Sequence, residues 1–333
     1  MGQVVDFHAY FQPQSFLDRL RVRNVYPRIE KTAQGEAIFS SPLAARLIRP
    51  EQTDIEWRVG ALAEAGIDCQ VLRLQNVSGV EALDPMEGLE VAQAANEELA
   101  QIARRFPGRF ICYAAVPMSD VRAAVAEMER AVTKLGHRGV GLSACAGPRL
   151  GGKPLDHPDL RPLLECAARL DVPVILLPNH PSMLDEHLDP YGWLTGGFGF
   201  QVDISTVALR LLCGGVLDKI PNLRIVLSNL GGVLPFIVGR LDQYWGRVHA
   251  GARTLPQPPS EALRRFWYET ASGHAAGIRM AAETIGADRL VFGSDYPSFD
   301  FVRAIQSVNE CGLPQDDIDR ILRSNAAKLL KLR

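Results

Sequence analysis

Eight short apolar runs, separated by stretches of helical periodicity, constrain the fold of this chain more than any other feature. The runs lie at 4–10, 67–74, 110–116, 139–143, 174–177, 224–228, 267–270 and 289–293. The later ones are unbroken, as in Val174-Ile-Leu-Leu177 and Ile225-Val-Leu227. Continuous runs of this length suit parallel strands buried on both faces. Helical patterns fill 54–65, 88–105, 120–135, 159–170, 207–216, 233–247, 260–265 and 276–285, and two more helices, 300–310 and 315–330, end the chain. Asp120 is placed to cap a helix start, and Gly66 and Gly136 to stop helices. Eight strand–helix units in one chain predict an α/β fold, a (β/α)8 or TIM barrel. A doubly wound sheet is the alternative, disfavoured because no GxGxxG follows the first strand. The stretch from about 11 to 50 does not fit the alternation. Tyr26 to Phe39 reads as two short strands around Gln34-Gly35, an insertion after strand one at the mouth of a single barrel domain spanning 1–333.

Composition excludes several roles. The net charge is −2 and no long run of one sign occurs, so nucleic acid and acidic membrane are not the expected partners. No apolar stretch approaches the roughly 20 residues of a membrane span, and the N-terminus shows no secretory pattern. The six cysteines are scattered without a CxxC, which fits reduced core cysteines and a cytoplasmic protein.

In a barrel of this kind the active site lies at the C-terminal strand ends. Strand one ends in Asp6-Phe-His8-Ala-Tyr10; strict alternation places Asp6, His8 and Tyr10 on one face, where buried polar groups need partners. Strand two carries Arg73, a charge costly to bury unless paired, and so aimed at an anion in the mouth or at a surface carboxylate. Strand five runs into Asn179-His180, strand six into Ser228-Asn229-Leu-Gly-Gly, strand seven into Glu269-Thr-Ala-Ser-Gly-His274, and strand eight into Gly293-Ser-Asp295-Tyr-Pro. Asn229 also reads as a turn residue, His180 as loop filler and His274 as a helix cap.

Together these ends resemble the amidohydrolase-related barrel family that includes aminocarboxymuconate-semialdehyde decarboxylase. The matching pieces run through nearly the whole chain: Val5-Asp-Phe-His8, Ala65-Gly-Ile-Asp68, Ala95-Asn-Glu-Glu, Phe106-Pro-Gly-Arg-Phe, Leu155-Asp-His-Pro, Pro173-Val-Ile-Leu-Leu-Pro178, Pro221-Asn-Leu-Arg-Ile-Val-Leu-Ser-Asn-Leu-Gly-Gly232, Gly239-Arg-Leu-Asp242, Phe292-Gly-Ser-Asp-Tyr-Pro297 and Asn325-Ala-Ala. The resemblance implies a metal site built from a His-x-His on strand one, a His ending strands five and six, and an Asp ending strand eight. Here only His8 and Asp295 match. Tyr10, Leu177 and Asn229 stand at the other positions. Zinc takes three or four N, O or S protein ligands, so the expectation is no metal and no other cofactor.

The resemblance then implies a metal-independent hydrolase or carbon–carbon lyase, decarboxylase-like, acting by general acid–base chemistry on a small activated carboxylate or lactone. Pyrone-dicarboxylate lactonase is a relative that works without metal. A non-catalytic ligand-binding barrel and a metal-dependent decarboxylase with substituted ligands are the alternatives. The expected catalytic residues are His8, Asp295, His180 and His274, with His8 and Asp295 paired directly or through water. Tyr10, Arg73 and Asn229 are expected to bind an anionic substrate, and the expected assembly is a homodimer.

Overall fold

The computed structural model describes residues 2–41, 44–75, 80, 83–146, 152–179, 192–245, 247 and 255–332. Eight parallel strands form the barrel in chain order: β1 Val5–Phe11, β2 Cys69–Leu74, β3 Phe110–Ala114, β4 Gly139–Ser143, β5 Val174–Leu177, β6 Ile225–Leu227, β7 Trp267–Glu269 and β8 Leu290–Val291. Main-chain bonds from Phe7 N to Phe292 O (2.8 Å) and from Tyr10 N to Tyr296 O (2.7 Å) join the last strand region back to the first. The TIM-barrel expectation therefore holds, and helices lie between the strands as the periodicity predicts.

Period-two alternation separates two apolar layers. Val5, Phe7, Cys69, Val71, Tyr113, Ile175, Leu177, Val226, Trp267 and Val291 pack together inside the barrel. Ala9, Leu72, Leu142, Leu176 and Leu227 face outward against the helices. Burying each such Leu or Ile contributes about 1.5–3 kcal/mol, which is why the strands need no polar face.

Strand β1 breaks the strict alternation. Asp6 pairs with Gln70 and Val5 with Cys69, yet Ala9 pairs with Leu72 and Tyr10 with Arg73. Three steps along β1 match two along β2, so one extra residue is bulged out. A one-residue slip exchanges the faces. Asp6 consequently points away from the barrel interior, while His8 and Tyr10 join it, so the shared face of Asp6, His8 and Tyr10 is corrected. The carboxylate of Asp6 instead accepts from Gln70 Nε2 (2.7 Å), Ser294 N (2.9 Å) and Ser294 Oγ (2.6 Å). It ties β1 to β2 and to the end of β8 at the bulge.

Within the insert, strands Arg28–Thr32, Gly35–Ser41 and Ala44–Leu47 form an antiparallel sheet. The third strand and the helix Gln14–Arg21 go beyond what the sequence pattern predicts. That helix buries Phe16, Leu17 and Leu20. Its eight residues show one apolar stripe, too short a window for periodicity to separate from a loop. A second departure is Phe200–Cys213, which starts seven residues before the expected 207. Of the six free cysteines, Cys213 is exposed rather than core.

Far from the mouth, His137 is buried with Nε2 3.0 Å from the Asn96 carbonyl. Asn96 donates to Glu127 (2.7 Å), which pairs with Arg130 (2.7 Å). Burial holds the His137 pKa below the ordinary imidazole value. The unfolded chain therefore binds the proton first as pH falls, so the His137 contribution to stability is complete above about pH 6.5 and lost below it. Chemical denaturation of wild type from pH 7.5 to 5.5 is expected to show a steeper loss than His137→Gln. Parallel curves would contradict this.

Candidate active site

Four ionisable side chains meet at the C-terminal ends of β1, β2, β7 and β8. His8 is buried at the bulge. Its Nδ1 lies 3.0 Å from Glu269 Oε1 and its Nε2 lies 2.6 Å from Arg73 Nη2. Asp295 Oδ1 is 3.5 Å from the same Nε2. An arginine only donates. His8 Nε2 therefore accepts from Arg73, while Nδ1 faces Glu269 as a close contact without the alignment of a hydrogen bond.

Each member is held from behind. Glu269 accepts main-chain N–H bonds from Asn229 and from Ala271 (2.7 Å). Arg73 stacks with its guanidinium carbon 4.0 Å from the centre of the Tyr10 ring, and Tyr10 hydrogen-bonds Asp295. Burial pushes the Asp295 carboxyl up from the ordinary carboxylate range, against the nearby His8. Burial lowers the Arg73 pKa, with the neighbouring Tyr10 and Asp295 acting in the opposite direction.

Asp295 also sits in a left-handed backbone conformation, φ 56°. That is unfavourable for a non-glycine residue and concentrates at functional sites. Bonds from Asp295 N to the His8 carbonyl (2.8 Å) and from Ser298 N to the Asp295 carbonyl (2.9 Å) hold it there. Beneath the loop, the fully buried Arg58 donates to Gln70 (2.9 Å) and to the Tyr10 carbonyl (3.1 Å), and its guanidinium lies 4.4 Å from the centre of the Tyr296 ring.

A cavity of about 1120 Å³ lies beside this cluster, between the insert sheet and the loop after Asp295; Gln75 and Tyr296 line it, while the four ionisable side chains stay behind its wall. Trp57, Tyr296 and Phe299 give it aromatic walls, and its charged lining is mixed, Arg46 and Arg49 with Glu51 and Asp300. The Asp295 side chain is 12% exposed, against 1% for His8 and 0% for Glu269. Asp295 is thus the least enclosed of the three.

Of the residues singled out from sequence, His8, Tyr10, Arg73 and Asp295 are brought together. The His8–Asp295 separation is at the limit of a hydrogen bond; the tighter carboxylate partner of His8 is Glu269. Asn229 reaches the cluster through its backbone N–H. His274 is exposed at the start of helix Ala275–Ile285 and makes no capping side-chain bond. It is not brought into the cluster. His180 lies outside the described residues. Glu269 received no role from the sequence. A carboxylate closing the apolar strand Trp267-Tyr-Glu269 was the available signal, a buried-strand charge like that of Arg73.

This strand-end constellation is that of a barrel enzyme, and comparison with known proteins places it. Residues 70–332 match the Amidohydrolase family model. The chain belongs to the amidohydrolase family, among its decarboxylases. It is 33% identical over 319 residues to the gamma-resorcylate decarboxylase of Rhizobium sp. (strain MTP-10005), covering 91% of this chain and 95% of that one. It is 28% identical over 246 residues to the 2-amino-3-carboxymuconate-6-semialdehyde decarboxylase of Dictyostelium discoideum, covering 73% and 67%. The crystal structure of a dihydroxybenzoic acid decarboxylase from Polaromonas sp. JS666, with bound manganese and the inhibitor 2-nitroresorcinol, superposes with a TM-score of 0.84 at 26% identity, covering 100% of this chain and 98% of the other.

The metal seen in that relative does not fit the donors described here. A divalent ion on His8 would need the Nε2 lone pair, which Arg73 faces at 2.6 Å. Glu269 is turned to the opposite ring nitrogen. Among the described residues no group of three His, Cys, Asp or Glu side chains is arranged to hold a metal.

Proposed function

We propose that this chain is a decarboxylase of a small, ring-bearing carboxylic acid, working by general acid–base chemistry without a metal. The observation that carries the reading is the convergence of His8, Asp295, Glu269 and Arg73 at the strand ends, beside an aromatic-walled cavity. The decarboxylase relatives support carbon–carbon cleavage over the hydrolysis also expected from sequence.

In the proposed step, the Asp295 carboxyl gives its proton to the ring carbon that bears the carboxylate. A ring π pair forms the new C–H bond. The C–C bond to the carboxylate then breaks, its electrons restore the ring, and carbon dioxide leaves. Asp295 regains a proton from solvent through the mouth. His8 sits between Arg73 and Glu269 and positions the floor beside Asp295. General acid catalysis of this kind contributes about 10²–10⁴-fold. Trp57, Tyr296 and Phe299 suit a planar ring, which stacks or packs edge-on against aromatic walls.

Release of ¹³C-labelled carbon dioxide from carboxyl-labelled substrates tests the proposal. The panel comprises gamma-resorcylate, other hydroxybenzoates and unsaturated enol carboxylates. At least one member is expected to lose its label in an enzyme-dependent way. Hydrolysis of lactones without label release from any acid would contradict it.

A further inference from the structure

We propose that Arg73 is the resident cation of this site: its guanidinium occupies the place where an ion bridging His8 and Asp295 would bind, and it holds the carboxylate of the substrate. The second half rests on the decarboxylase reading; the first does not.

Zinc binds imidazole nitrogen at about 2.0–2.1 Å. The lone pair of His8 Nε2 already meets Arg73 Nη2 at 2.6 Å, and Asp295 Oδ1 lies 3.5 Å from the same nitrogen. A metal ion and this guanidinium cannot share the volume. The barrel is shaped around the arginine. The Tyr10 ring covers one face of it at 4.0 Å. Its stem passes Gly141 of β4, where a Cβ would lie 3.9 Å from Arg73 Cδ and 3.2 Å from Leu177 Cδ1. Leu177 and Arg73 thus fill adjacent parts of the interior. Both Tyr10 and Leu177 stand at positions where the resemblance implied ligands. Their replacement makes sense together with Arg73: an aromatic face stabilises a guanidinium, and an aliphatic side chain packs its stem.

The exchange changes what the site does. A guanidinium stays charged across the physiological range and presents a planar fork that matches a carboxylate. It does not lower the pKa of a bound water as a metal does. Carboxylate capture is retained, and activation of water is not.

Two measurements test this without relying on turnover. Wild-type protein is incubated with Co²⁺ or Mn²⁺, gel-filtered, and analysed for metal, with visible absorption following the cobalt. Less than about 0.1 equivalent per chain is expected on the ligand count that a metal needs. One equivalent, lost in His8→Ala, would overturn the resident-cation assignment. Calorimetric binding of gamma-resorcylate is then compared in wild type, Arg73→Lys and Arg73→Ala. Loss of a charge-assisted bidentate contact predicts weakening of about 10-fold or more in Arg73→Ala, partly recovered by millimolar guanidinium. Unchanged affinity, or failure of wild type to bind the acid at all, would overturn the carboxylate-holding role. Because only binding is measured, these outcomes are separate from whether carbon dioxide is released.

Discussion

Asp295→Asn and His8→Asn are each expected to lower decarboxylation by about 10³-fold, near the middle of the range for general acid catalysis, with the fold intact. The Asp295→Asn side chain keeps its shape and an amide oxygen for the Tyr10 hydroxyl, but it has no acidic proton to give. The smaller side chain of His8→Asn breaks the link between Glu269 and Arg73 that orders the floor of the site. Turnover numbers and thermal melts on the same preparations check this. Wild-type rates in both variants would leave the pair as packing alone.

Gly293→Ala is expected to damage the site and the fold together. Gly293 lies between β8 and Asp295, where a Cβ would collide with Glu269 Oε2 and stand 3.0 Å from His8 Cβ. Glu269 cannot step back easily, since both its oxygens are engaged by backbone N–H groups. Overpacking a filled interior costs about 1–3 kcal/mol, and displacing Glu269 breaks the His8 contact as well. Denaturant unfolding should show the loss, and activity should fall by at least about 10-fold, the order expected for a misplaced acid–base group. Gly60→Ala is the control. It lies in helix Ile55–Glu64 with nothing within 4 Å of the added methyl. It is expected to be neutral or stabilising by about 0.5–1 kcal/mol. Equal behaviour of the two variants would contradict the crowding at Gly293.

The barrel was legible because short apolar runs, unbroken in later strands such as Val174–Leu177, alternate with helices that each bury one stripe. Arg73 and Asp295 were legible as charges at ends of buried strands, where chemistry has to supply partners. The face of Asp6 was not, because a single bulged residue reverses alternation without changing composition. Glu269 carries the same signal as Arg73, but the histidine five residues later has the more suggestive chemistry. His274 lies exposed at the start of its helix, so its strand-end position did not bring it into the buried cluster. Nor does any local pattern announce that Arg73 and Tyr10 would stack. Their register across β1 and β2 follows from the bulge.

The most direct measurement is decarboxylation of the labelled acid in D₂O with a chelator present, followed by mass spectrometry and NMR of the product. The expected result is label release at an undiminished rate, with one deuterium at the carbon that carried the carboxylate and none gained by the Asp295→Asn variant. Turnover abolished by the chelator and restored by one equivalent of metal would contradict the account, as would a product without deuterium at that carbon.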